Sequence, residues 1–214
     1  SRMVWAGNRY LAAAAGALGA EAHVLPTAVR AEQYSLFERK HDVFTLVWIG
    51  SRSTSRYLEA CREELEAVGD ACDVRLKVIG DFDIGFDTIA VDVVPWSSAT
   101  EAEELLRCHV GIAPMENNPW TRGKCALKVL QYMACGLPVI SSKTGANAEV
   151  LEHERTGLFA HTPEEWVAAV RRLQAEPETC RRFGENGRRA VHERYEVAHV
   201  VQEAVDHLDK AGLL

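Results

Sequence analysis

Lys124 and Lys128, followed by Gln131 and Cys135, stand at steps of four, three and four in a stretch from Gly123 to Ser141 that is otherwise almost wholly apolar. On a helix that spacing puts all four side chains on one narrow line. Both flanks of the line read as buried. Two cations between apolar flanks need an anion or a solvent-filled cleft to face, because an unpaired charge in an apolar setting is costly. The helix begins beside Gly123, and a helix N-terminus presents free N–H groups and partial positive charge to whatever precedes it. The chemistry implied is the binding of a phosphate.

Elements able to position such a site alternate along the chain. Residues 8–18 are alanine-rich and read as a helix, and 22–27 as a short strand ending at Pro26. Residues 30–42 are polar and read as a connector. Residues 44–50 form a strand with almost no polar alternation, so both of its faces are expected to be covered. After a polar loop at 51–55 comes an amphipathic helix carrying Leu58, Cys61, Leu65 and Val68 on one side. Further strands are read at 74–80, 89–94, 109–114, 138–141 and 158–160. Helices are read at 101–106 and from Lys124. This alternation predicts an α/β fold, a doubly wound parallel sheet. The last third, from Pro163 to about Lys210, reads as three helices with breaks near Pro177 and Tyr195.

Ligands of open parallel sheets bind outside the carboxyl ends of the strands, and four polar loops fall there. The loop at 50–55 offers Gly50 for close backbone approach, hydroxyls on Ser51, Ser53 and Thr54, and charge on Arg52 and Arg56. It reads equally well as a plain helix cap. Trp96 follows the third strand, and either walls a nucleobase pocket or packs under its loop. The long segment 114–123, with Glu116 and Trp120, feeds the Lys124 helix directly, and function is the better reading there. In 141–149, Glu149 is either a ligand group or a carboxylate favoured by a helix N-terminus.

Composition closes several alternatives. The chain has 214 residues, 47% of them apolar, enough for a real core, and a net charge of −7. Nucleic-acid binding needs a basic face, so any phosphate recognition must be local. The six cysteines include no Cys-x-x-Cys pair, and reduced, buried thiols of a cytoplasmic protein are expected. No apolar run is long enough for a bilayer. Ser1-Arg2-Met3 leads into mixed sequence without a leader, so the chain reads as starting inside a fold. The eight histidines show no metal spacing, and no metal is expected. There is no Gly-x-Ser-x-Gly elbow, and Gly123-Lys124 is followed by cysteine, which rules out a Walker loop.

The run from Lys128 to Ile140 resembles the signature of the glycosyltransferase group 1 family, whose enzymes have the GT-B fold. Residues 144–150 and 156–159 continue the likeness in order, and Ala113-Pro114 precedes it. The resemblance covers roughly residues 20 to 200. It implies the Rossmann-like, donor-binding, C-terminal half of an enzyme that moves a sugar from a nucleotide-diphosphate sugar, UDP- or GDP-linked, to an acceptor with retention. On that likeness, residues 1–20 are the end of an N-terminal domain or a hinge helix, and 21–195 the nucleotide-sugar domain. Residues 196–214 are a helix packing toward the N-terminal domain. The Gly50 loop and the amides from Lys124 to Leu127 would hold the diphosphate, with Lys124, Lys128 and Arg56 stabilising the leaving group. The family's paired glutamates correspond to Gly123 and Gln131, with Glu116 or a loop amide as the alternative to the first. The usual arginine corresponds to Ser51. No cofactor or divalent metal is implied. The expected place is the cytoplasm, with a peripheral membrane position open to the full-length protein, and the fragment alone is expected to bind nucleotide but transfer little. Alternatives are a non-catalytic nucleotide-sugar-binding subunit and a GT-B nucleotide-sugar epimerase.

Overall fold

A computed structural model describes residues 3–34 and 40–214. Strand β1 (Met3–Ala6), helix α1 (Arg9–Ala17) and strand β2 (Glu21–Val24) form a small unit, with β1 and β2 paired in parallel and, among the described residues, to no other strand. The helix is the alanine-rich one read from sequence; β1 was not read there. Asn8 caps α1 by accepting from the Leu11 N–H at 2.9 Å. Of the polar connector, residues 35–39 lie outside the described residues, and Ala31–Gln33 forms one turn of 3-10 helix.

The main sheet has six parallel strands: β3 (Thr45–Ile49), β4 (Arg75–Ile79), β5 (Ala90–Val94), β6 (Val110–Ala113), β7 (Val139–Ser141) and β8 (Gly157–Phe159). Their order is β5-β4-β3-β6-β7-β8. The chain winds outward one way from β3 and the other way from β6, so the reversal lies between these two strands. Both faces are covered, as the unbroken apolar pattern of β3 requires. Leu46 and Trp48 enter one core with Leu65, Val170 and Leu173. Val47 and Ile49 enter the other with Leu130, Met133 and Val191. The helices that supply these residues are α3 (Arg62–Ala71) and α8 (Pro163–Ala175) on the first face. On the second they are α6 (Leu127–Ala134) and α9 (Pro177–Arg194). With α10 (Val197–Lys210), the last third forms the three helices expected, broken at Pro177 and Tyr195.

Three local readings change. The loop expected at 51–55 is already helical, because Ser51 caps α2 (Arg52–Glu59) and Thr54 returns its hydroxyl to the Ser51 N–H at 3.2 Å. The segment 114–123 contains a short helix, α5 (Pro119–Arg122), started by Asn118 and Pro119. The helix expected from Lys124 begins at Leu127, since Ala126 takes a left-handed conformation with φ 57°.

The crevice between β3 and β6 has a specific cause. Only Leu46↔Val110 and Val47↔Gly111 are in register, so the strands part beyond them. The Tyr132 hydroxyl fills the gap, accepting from the Ile49 N–H at 3.0 Å and donating to the Ile112 carbonyl at 3.2 Å. Gly111 makes room for it, since a Cβ there would lie 2.3 Å from the Tyr132 ring. Tyr132→Phe strands the buried Ile49 N–H and is expected to cost about 1–3 kcal/mol in urea unfolding. Wild-type stability in that variant would show that the hydroxyl does not hold the crevice.

Candidate functional site

The carboxyl ends of β3 and β6 open onto a cavity of about 290 Å³ lined by Trp48, Thr54, Tyr57, Lys124, Leu127 and Lys128, among others. It sits where the winding reverses, the place a doubly wound sheet offers a ligand. The N-terminus of α6 faces it with no side-chain cap, so the first-turn N–H groups have no partner within the helix. Lys128 lies across the end of β3, its Nζ 4.1 Å from the Trp48 ring centroid and 3.3 Å from Thr54 Oγ1. Gly50 allows that path, because a Cβ there would come within 2.3 Å of the same Nζ. Lys124 places its Nζ 5.1 Å from the Tyr57 ring centroid. Among the described residues neither lysine has a carboxylate partner in an ion pair. Burial, with the Lys124 charge adding to it, pushes the Lys128 ammonium down to about 7.

The site residues read from sequence fall into four places. Thr54, Lys124, Leu127 and Lys128 line the cavity, with Gly50 and Ser51 beside it against Lys128 and Thr54; exposed Ser53 joins Ser51 through their hydroxyls at 2.9 Å. Arg56 and Glu116 meet in a neighbouring groove, with the Arg56 guanidinium bonded to the Tyr57 hydroxyl at 2.9 Å. Trp96 and Gln131 are brought together elsewhere, by a carboxylate that sequence reading missed. Glu101 accepts from Trp96 Nε1 at 2.6 Å, from Gln131 Nε2 at 2.7 Å and from the Tyr34 hydroxyl at 2.7 Å. The signal was weak: Glu101 opens α4 (Glu101–Leu106) and looks like an ordinary first-turn acid. The Tyr34 phenol is held well above its usual range by burial and then by Glu101.

Gly123 faces the small N-terminal unit, where a Cβ would be 3.4 Å from Leu11. That unit clamps the turn before α6. Asn8 is buried and donates to the carbonyls of Arg122 at 3.0 Å and Lys124 at 2.9 Å, while Gly7 lies so close to Cys125 that a Cβ would fall 2.3 Å from its sulfur. A wider cleft of about 570 Å³ lies beyond Cys125, between Gly7–Arg9 and α9–α10. Its carboxylates, Glu149, Glu193 and Glu203, outnumber its cations, Arg9 and Arg194. The lysine cavity is therefore the better anion site, although it is the smaller.

Fold and site together define a doubly wound, Rossmann-like domain with a lysine-lined cavity at its switch point. The chain belongs to the glycosyl transferase-like family, whose model matches residues 52–206. It is similar to the MMP alpha-(1->4)-mannosyltransferase of Mycolicibacterium hassiacum, 31% identical over 123 residues, which are 56% of this chain and 30% of the relative. Among solved structures it resembles sucrose-phosphate synthase from Thermosynechococcus elongatus, with a TM-score of 0.79 at 18% identity, over 99% of this chain and 59% of that one. It also resembles Anabaena Alr3699/HepE in complex with UDP and glucose, with a TM-score of 0.77 at 13% identity, over 98% and 63% of the two chains. The fold is thus that of the GT-B glycosyltransferases. The chain spans 19% to 30% of the length of the curated relatives it matches. No helix among the described residues is long and apolar enough to cross a membrane.

Proposed function

We propose that this domain holds the diphosphate of a UDP- or GDP-linked sugar, and that the whole protein transfers that sugar to an acceptor with retention. The observation that carries the reading is a pair of lysines, without carboxylate partners among the described residues, beside an uncapped helix N-terminus in the switch-point cavity. As the glycosidic bond breaks, negative charge grows on the β-phosphate. Ammonium groups and N–H groups already aimed there favour the transition state over the ground state. Lys124 and Lys128 supply the charges, and Leu127 and its neighbours the amides. Thr54 orients Lys128 through the 3.3 Å contact. Complexes of Anabaena HepE with UDP-glucose support this choice of ligand. In this reading residues 1–20 end an N-terminal domain that supplies most of the acceptor site, and 196–214 pack against it.

A thermal-shift panel of UDP, GDP, ADP and their sugars tests the proposal. At a hundredfold excess over Kd, the matching nucleotide is expected to stabilise the fold by about 2.7 kcal/mol, roughly 5–10 °C for a domain of this size. No shift with any of them would sink it. A second reading, a nucleotide-sugar-binding subunit without catalysis, draws support from Gly123 standing where the family's sugar-binding glutamate belongs. Donor hydrolysis by the full-length protein separates the two.

A further inference from the structure

We propose that the groove between α2 and α5 binds a pyranose ring stacked on Trp120. This groove, about 430 Å³, is lined by Arg56, Tyr57, Glu116, Asn118 and Trp120. Tyr57 also lines the lysine cavity, so the two spaces abut. The Trp120 side chain is 70% exposed, an unfavourable position for so large an apolar surface. Its backbone is nevertheless pinned. The Thr121 N–H donates to Asn118 Oδ1 at 3.0 Å, and the Thr121 hydroxyl, fully buried, donates to the Glu116 carbonyl at 2.6 Å. That hydroxyl also accepts from the Asn118 N–H at 3.0 Å, and Arg122 Nε donates to Asn117 Oδ1 at 2.8 Å. Pro119 fixes the first helical φ. The indole is thus presented by a rigid turn, and the ordering cost of a platform is met before any ligand arrives.

What flanks the indole decides the ligand class. A pyranose has C–H groups on its faces, which suit the electron-rich face of an indole, and hydroxyls all round its edge. Glu116 accepts and Arg56 donates, while Asn118, its Oδ1 taken by the Thr121 N–H, steadies the Glu116 carboxylate by donating from Nδ2 to Oε2 at 3.3 Å. One carboxylate and one guanidinium leave the groove near neutral. A neutral polyol suits it better than a second phosphate, in contrast to the neighbouring lysines. A nucleobase would stack equally well but has fewer polar edge positions to match these groups.

Saturation-transfer NMR with methyl glycosides of glucose, mannose and N-acetylglucosamine, on protein saturated with the nucleoside diphosphate it prefers, reads the groove directly. Wild type is expected to give a signal for at least one glycoside. Trp120→Ala should reduce it about fivefold or more, and Trp120→Phe should retain most of it, with nucleotide Kd changed by less than about twofold. Repeating the measurement with the nucleotide sugar in place of the diphosphate assigns the source. Displacement of the glycoside identifies the donor's sugar as occupant, and persistence an acceptor sugar. No signal with any glycoside, or an unchanged signal in Trp120→Ala, overturns the assignment. So does an equal loss of nucleotide and glycoside binding, which would make the indole a base platform. The inference rests on the nucleotide reading for the adjoining cavity alone. Nucleotide binding without glycoside binding defeats the groove and spares that reading, whereas absence of any nucleotide-induced thermal shift defeats that reading and not the groove.

Discussion

Lys128→Met is expected to make the free domain more stable while weakening its grip on nucleoside diphosphate by about 1–3 kcal/mol, roughly 5- to 150-fold. Among the described residues the lysine is paired with no acid; it lies over Trp48 and is lowered to about 7 by burial, against 10.5 for a free lysine. Between those two values the unfolded chain holds a proton that the folded one has released, so this group makes stability rise with pH across that window. Below about 7 both states carry the charge, and its full burial cost weighs on the fold. With the partial exposure of the side chain taken into account, that cost is about 2–4 kcal/mol. The methionine variant escapes it, so its advantage should be greatest at and below neutral pH and fade toward pH 10. Calorimetric melting at several pH values checks this, and an unaltered or lower Tm at pH 7 would contradict it.

The same lysine is expected to make nucleotide binding proton-linked. A diphosphate favours the ammonium form and draws the group back toward its usual value. At pH 8 most free molecules lack the proton, so wild type should take up close to one proton per nucleotide bound. Affinity should fall as the pH rises from 7 to 9, by up to about tenfold per unit. Titration calorimetry in buffers of different ionisation enthalpy measures the uptake, and Lys128→Met should show none from this position. Equal nucleotide affinity in the variant and wild type would remove Lys128 from the site.

Gly184→Ala carries the second large effect, and its sign runs against helix propensity. In an exposed helix, replacing glycine by alanine stabilises by about 1 kcal/mol. Gly184 lies inside α9, where a Cβ would fall 2.0 Å from the Gly136 carbonyl oxygen and 2.8 Å from its carbon. Both contacts are backbone, in the turn that leaves α6 for β7, and Gly136 there has a φ of 69°. No rotamer relieves such a clash; α9 must move off α6, on which it packs through Met133 and Gly187. Overpacking of that kind is expected to outweigh propensity and cost about 2–3 kcal/mol net. Gly16→Ala in α1 is the matched control, since nothing lies within 4 Å of a Cβ there. It should stabilise by about 0.5–1 kcal/mol. Urea midpoints of the two variants are expected on opposite sides of wild type. A Gly184→Ala protein at or above wild-type stability would show that α9 moves off α6 at little cost.

Much of this molecule was legible in the chain because its signals are local. The apolar run 44–50 announced a strand buried on both faces, and the strand–helix alternation announced a doubly wound sheet. Lys124 and Lys128 were marked by two cations in an apolar setting, and the three final helices by their periodicity and by Pro177. Each of those inferences needs only neighbours within a few positions. What the tertiary structure alone decided depends on partners far apart in the chain. Gln131, on the same sequence line as the lysines, turns away to Glu101, 30 positions earlier, and to the Tyr34 hydroxyl, 97 earlier. Asn8 reaches the carbonyls before α6 across more than a hundred residues, and the Tyr132 hydroxyl joins strands that stop pairing. A short sequence window carries the period of an element and the cost of burying a charge, but not which distant donor will meet which acceptor. That is settled when the sheet and its helices pack and every buried polar group must find a partner.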